Sequence, residues 1–125
     1  MATVDLSGFG HRNVVENSAS TLTLSHTAHS GLVVNNTATT TLTLPSIVAG
    51  MVFAIRVGAE GITVTVSPAA ADKIGGAGIS NAGVGTDDKD IVFTNQPAGS
   101  YVVLRDTATG WTIVSVLGTF TDEGA

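Results

Sequence analysis

The chain has 125 residues, a net charge of −5, 12% charged residues and no cysteine. One domain with one core fits that length, and the missing cysteine excludes disulfides and thiolate metal sites and suits a cytosolic origin. The five basic residues, Arg12, Arg56, Lys73, Lys89 and Arg105, are scattered, which excludes the clustered Lys and Arg with which a duplex nucleic-acid binder meets phosphates.

Residues 1–20 differ in composition from the rest of the chain. They carry Gly8, Gly10, Asn13, Asn17 and three serines, with Phe9, Val14 and Val15 as the strong apolar points. This reads as an extended N-terminal arm with one short strand, ahead of a β domain over 21–125. No basic start is followed by an apolar stretch of signal-peptide length, and no run reaches the ~18 apolar residues of a membrane span. Met1 reads as a native start and the chain as a whole gene product.

From Ser20 onward period-two alternation is dense. Leu22 and Leu24 share a face, as do Leu32 and Val34, then Leu42 and Leu44. Met51, Phe53, Ile55 and Val57 form the longest row, then come Ile62, Val64 and Val66, then Ile91 and Phe93, then "SYVVLRD" and "GWTIVSVLG". Such alternation predicts strands buried on one face. No segment of helical length has a 3.6 period.

The breaks fit strands too. "PSIVAG" (45–50) joins two of them; "GAEG" (58–61) predicts a tight hairpin, and "TATG" (107–110) joins the last two long strands. "GGAGISNAGVGTDDKD" (75–90) predicts a long glycine-rich loop. "TLTL" occurs at 21–24 and again at 41–44. A solenoid needs three or more units, so the echo reads as two hairpins under the same geometric demand. The predicted fold is all-β: an antiparallel sandwich or barrel-like domain of jelly-roll or tulip type, with the arm in front.

Ordinary soluble proteins carry about 25% charged residues. Here 18 threonines supply much of the polar surface beside 16 valines, both β-branched and strand-favouring. So little charge predicts a surface partly covered by other subunits. Val52, Ala54 and Arg56 lie opposite Met51, Phe53 and Ile55 and form the candidate subunit interface, with Arg56 pairing an acidic neighbour. Trp111, the single tryptophan, is a core or interface anchor.

Chemistry-bearing motifs are sparse. His26 and His29 in "HTAH" are three apart with no third ligand near in sequence. "TDDKD" (86–90) lacks EF-hand spacing. The glycines of 75–85 precede no Lys-Ser or Lys-Thr and no helix, which argues against a phosphate cradle. There is no G-x-S-x-G elbow, and His11 beside Arg12 sits in the arm. The expectation is a protein that is not an enzyme and uses no metal or other cofactor.

The order "TLTLP…AGMVFAIRV", "ITVTVSPAAADKI", a glycine-rich loop and "YVVLRDTATGWTIVSVLGTF" resembles the small β domains of tailed-bacteriophage virions. The nearest in kind are capsid decoration (cement) proteins and the trimerising domains of phage fibres and tailspikes. The resemblance spans about residues 21–121. Its characteristic pieces are "LP" followed by "AG" and an aromatic-bearing strand, the "P…DKI" turn, and "GW" with "GTF" after it. It implies a homotrimer on the outer surface of a phage head, made in the host cytoplasm, that stabilises the capsid by bridging capsomers. Its partners would be the major capsid protein and itself, with no nucleic acid and no membrane. The alternative is a receptor- or carbohydrate-binding or trimerisation module of a tail fibre or tailspike; the absence of a fibre repeat weighs toward decoration. The arm matches no motif. From its composition, Phe9, His11, Arg12, Val14 and Val15 are expected to bind the capsid; the rival expectation is that the arm packs on its own domain as an extra strand.

Overall fold

The computed structural model describes residues 14–47, 50–69, 72, 74–76, 90–107 and 110–122. Its strands are β1 (Val14–Asn17), β2 (Thr21–Thr23), β3 (Val33–Asn36), β4 (Thr40–Thr43), β5 (Val52–Val57), β6 (Thr63–Ser67), β7 (Ile74–Gly76), β8 (Ile91–Thr94), β9 (Tyr101–Asp106), β10 (Trp111–Leu117) and β11 (Thr121–Asp122). The helix described is a single turn, α1 (His26–His29), between β2 and β3. Two sheets pack face to face. The larger has the order β1-β3-β5-β9-β10-β7 and the smaller the order β11-β8-β6-β4-β2. The expected all-β sandwich is what forms.

Its strand directions differ from expectation. From β1 to β6 the chain changes sheet at every connection, so same-sheet neighbours run parallel: β1 with β3 and β3 with β5 in one sheet, β2 with β4 and β4 with β6 in the other. The result is three stacked coils. Val14 is in register with Val33 and Val33 with Ala54; Thr21 is in register with Thr41 and Thr41 with Thr65. Both sheets are therefore mixed. Antiparallel pairing enters with β8, β9 and β11, which close the sandwich against β6, β5 and β8.

The two "TLTL" segments are thus neighbouring rungs, with Leu22 beside Leu42, and not two hairpins. "GAEG" is a corner that carries the chain from β5 across to β6 in the opposite sheet. Gly61 there has φ +80°, which a side chain would strain. The expected turn near "TATG" does join an antiparallel pair, β9 and β10.

The inward positions are those the alternation picked. Leu24, Val34, Leu42, Leu44, Phe53, Ile55, Val64, Val66, Val102 and Leu104 are buried between the sheets. Each stabilises the fold by roughly 1.5–3 kcal/mol on burial. Trp111 lies in this core, 2% exposed, with its ring 5.5 Å from that of Phe53 at 50°.

A polar seam binds the coils at one corner. Asn17 and Asn36 are in register and buried, as is Thr40. Asn17 Nδ2 donates to Asn36 Oδ1 (2.9 Å) and to Thr40 Oγ1 (3.2 Å), and Asn17 Oδ1 accepts from the Ala19 N–H (3.1 Å). Asn36 Nδ2 donates to the carbonyls of Val34 (3.1 Å) and Arg56 (3.0 Å). One side chain thus ties the first coil to the second and the second to the third. Buried amides persist where every donor finds such a partner.

The boundary expected at residue 20 separates residues that the sheet joins. β1 pairs with β3, is the outer strand of the larger sheet among the described residues, and contributes Asn17 to the seam.

Candidate functional site

The outer face of the larger sheet carries the exposed large apolar side chains among the described residues. Along β5 the inward residues Phe53, Ile55 and Val57 alternate with Val52, Ala54 and Arg56, which face outward. The register with β9 sets Val52 beside Arg105, Ala54 beside Val103 and Arg56 beside Tyr101. On the far side of β9, Ser115 lies beside Val103 and Leu117 beside Tyr101. The β9–β10 register shifts between Ile113 and Ser115. The extra residue is Val114, and a bulge of this kind re-aims a side chain. Val114 is 56% exposed, Leu117 56% and Val52 41%. They are the exposed large apolar residues among those described, and all three belong to strands of this sheet.

Between Val52, Val103 and Val114 lies a shallow hollow of about 230 Å³, also lined by Gly50, Met51, Arg105 and Asp106. The Asp106 carboxylate is buried at its edge and accepts the Met51 N–H at 3.2 Å. That bond, with Asp106 N–H donating to the Met51 carbonyl, fixes where β5 begins against β9.

Among the described residues no acid pairs directly with Arg56. Its guanidinium donates to Asn35 Oδ1, while Asn35 Nδ2 donates to Glu16 at 2.9 Å. One amide thus links a guanidinium and a carboxylate along three adjacent strands, β5, β3 and β1. A carboxylate and a guanidinium held by one amide place a polar border beside the valine patch.

The expected interface residues divide. Val52, Ala54 and Arg56 share the outer face, with Val52 exposed and the other two half-buried. Trp111 is not with them: it faces inward and is closed off by the core, so it is unavailable to another subunit. Val103, Val114 and Leu117 complete the face without having been singled out from the sequence. Alternation in "SYVVLRD" could have found Val103, but the bulge that turns Val114 outward leaves no period-two signal. Of the expected capsid-binding residues, Val14 and Val15 lie half-buried in β1, where they pair with Val33 and Val34. Phe9, His11 and Arg12 lie outside the described residues.

His29 is tied locally: its Nδ1 accepts the Ser25 N–H at 2.9 Å, while Ser25 Oγ caps α1 by accepting from the Ala28 N–H. Among the described residues no three His, Cys, Asp or Glu side chains are grouped as metal ligands would be. The glycine-rich segment 75–90 and its "TDDKD" lie outside the described residues except for Gly75, Gly76 and Asp90.

No protein-family model matches the chain, and no curated protein does.

Proposed function

We propose that this is a structural virion protein: a trimeric decoration protein that binds the outside of a phage capsid and stabilises it by bridging capsomers. The observation that carries the reading is the outer face of the larger sheet. Val52, Val114 and Leu117 are exposed together on a chain with few charges, and clustered exposed apolar residues mark interaction surfaces. In this reading the face is the subunit contact, with Val103 and Ala54 at its centre and the Arg56–Asn35–Glu16 relay at its border. Apolar centre and polar rim is the usual anatomy of such contacts. The resemblance of the β segments to phage virion domains supplies the setting, the surface of a head.

The test has two parts. Light scattering of the free protein is expected to give a mass of three chains, and the protein is expected to co-sediment with heads of its own phage. Monomers at high concentration together with no binding to heads would end the proposal.

One observation favours the second reading, a trimerisation or receptor- or carbohydrate-binding module of a fibre or tailspike. The three stacked coils are a repeat, and a repeat removes the ground on which decoration was preferred to a fibre. Binding on a glycan panel without binding to heads would select it.

A further inference from the structure

Among the described residues the coils of the smaller sheet end at β2. Among the described residues β2 is the edge strand of the smaller sheet, and its one partner is β4. The ladder fixes which backbone groups that partner uses. Thr41 N–H donates to Ser20 O at 3.0 Å and Leu24 N–H to Thr43 O at 2.8 Å, so residues 20, 22 and 24 turn their N–H and C=O toward β4. Successive residues of a strand alternate. Thr21 and Thr23 therefore turn two N–H and two C=O groups away from the sheet. Their side chains are exposed and uncharged, and no proline or charge blunts this edge as edges usually are blunted. Leu22 between them points inward, packs on the core and is only partly buried, whereas Leu42, its neighbour one coil on, is fully buried. Among the described residues the edge thus lacks two things at once: partners for four backbone groups, and an apolar side chain beyond Leu22.

One kind of occupant supplies both. We infer that β2 accepts an extended, uncharged segment of the shell protein, added as a strand, with an aliphatic residue set beside Leu22 between the sheets. This rests on the capsid-binding reading above and names how the contact is made. A folded second copy is a poorer fit. β2 is three residues long, so the open end measures roughly 10 Å by 20 Å, on the order of 200 Å², against about 800 Å² per partner in a stable complex. An added strand draws on backbone hydrogen bonds as well as area, and three such contacts per trimer act together.

The probe is the acetylated, amidated peptide Thr-Thr-Leu-Thr-Leu followed by two lysines for solubility. Its first five residues copy 40–44, whose strand already lies against β2 on the other side. Titrated into the full chain labelled with ¹⁵N and ¹³C, it is expected to shift the amides of Thr21 and Thr23 and the methyls of Leu22, and to slow hydrogen exchange at Thr21 and Thr23. Thr23→Pro removes one outward N–H at an edge, where proline is tolerated. With circular dichroism unchanged, it is expected to weaken the peptide at least tenfold. A second variant, Leu22→Ala, keeps the backbone groups and removes the inward contact; it is expected to weaken the peptide severalfold. Shifts that map elsewhere, no shift at millimolar peptide, or equal affinity for Thr23→Pro overturn the inference. So does concentration-dependent shifting of the same amides without peptide, which assigns the edge to a second copy. Head binding separates this from the broader reading. If wild type binds heads and Thr23→Pro binds them equally, the strand contact is wrong and the capsid role stands. If wild type does not bind heads, the capsid role is wrong and the shell-protein assignment falls with it, whatever the peptide does.

Discussion

Asn36→Ala is the most informative single change in this fold. Asn36 is fully buried and makes three side-chain hydrogen bonds: it accepts from Asn17 and donates to the carbonyls of Val34 and Arg56. A net contribution of about 1 kcal/mol per bond puts the loss near 3 kcal/mol. The stranded Asn17 amide keeps its bond to Thr40 Oγ1, which limits the penalty, so a range of about 2–4 kcal/mol is expected. For a domain of this length that lowers Tm by on the order of 10 °C. Urea denaturation reads it as a fall in midpoint at constant slope. Because Asn17 and Asn36 share a bond, Asn17→Ala and Asn36→Ala should couple by about 0.5–1.5 kcal/mol in a double-mutant cycle. Asn36→Asp adds a pH signature. It sets a carboxylate against two carbonyl oxygens, which raises the folded pKa above the unfolded value of about 3.9. The unfolded state then ionises first as pH rises. The extra destabilisation should therefore be absent below about pH 3.5 and grow upward from there until the folded group also ionises. A loss under about 1 kcal/mol for Asn36→Ala, with no coupling to Asn17, would refute the claim that this seam holds the coils together.

Four further outcomes are expected. Trp111→Ala should cost about 3–5 kcal/mol as a large-to-small core change. Trp111→Phe should cost much less, because the indole Nε1 is buried without a hydrogen-bond partner and its removal relieves an unpaired donor; wild-type fluorescence resembling free indole in water would contradict the burial. Leu117→Lys and Val114→Lys should each change stability by no more than about 0.5 kcal/mol yet abolish self-association in sedimentation velocity; an unchanged oligomer removes the outer face as the contact. Gly58→Ala should destabilise by more than about 1 kcal/mol, since its Cβ would sit 2.6 Å from Asn35 Oδ1 and push that side chain off Arg56; urea midpoints equal to wild type would show that Asn35 is free to move. Removing residues 1–18 deletes β1 and Asn17 and should leave the chain measurably less stable than removing 1–12 alone; equal stability of the two truncations would show that β1 adds nothing to the sheet.

Most of the core is legible in the sequence because a β-strand side chain has only two places to go. Met51, Phe53, Ile55 and Val57 alternate without interruption, and all four are buried. What alternation cannot carry is which strand lies beside which. That information is present in another form. "VVEN" at 14–17 precedes "TLTL" at 21–24, and "VVNN" at 33–36 precedes "TLTL" at 41–44. The Val-Val pairs, the asparagines and the threonine–leucine runs are the residues that stack in register. "TLTL" alone is an echo; with the asparagines it is one coil and the next. The third coil hides because β5 replaces Asn36 by Val57 and β6 replaces Thr40 by Val64 and Leu42 by Val66. A corner needs an amide only where two neighbouring coils must be joined through side chains. The outer patch is legible for Val52 and Ala54 and illegible for Val114, since a one-residue bulge is a property of the β9–β10 pairing and not of either strand.

The two outer faces divide the work that charge does in other proteins. On the smaller sheet Thr21, Thr41 and Thr65 stand in register across three strands, and Thr23, Thr43 and Ser67 form a second row. Hydroxyl groups along such rows meet water well, and β-branched neighbours pack against one another in a pleated surface. That face needs no partner to be stable in water. The larger sheet has no such rows. Its outward positions set Val52, Ala54, Val103 and Leu117 among Glu16, Asn35, Arg56, Tyr101, Arg105, Thr112 and Ser115. A uniform shortage of charge therefore has two different causes. On one face threonine replaces charge; on the other nothing replaces it around Ala54, Val103 and Val114. The face where nothing replaces it is the one that gains from being covered. Its arginines set limits on the cover: Arg56 is already committed to Asn35, while Arg105 is exposed beside Val52. A partner surface that leaves Arg105 at the rim, in water, avoids burying an unpaired charge. Contact centred between Val103 and Leu117, away from Arg105, meets that condition; contact centred on Val52 does not.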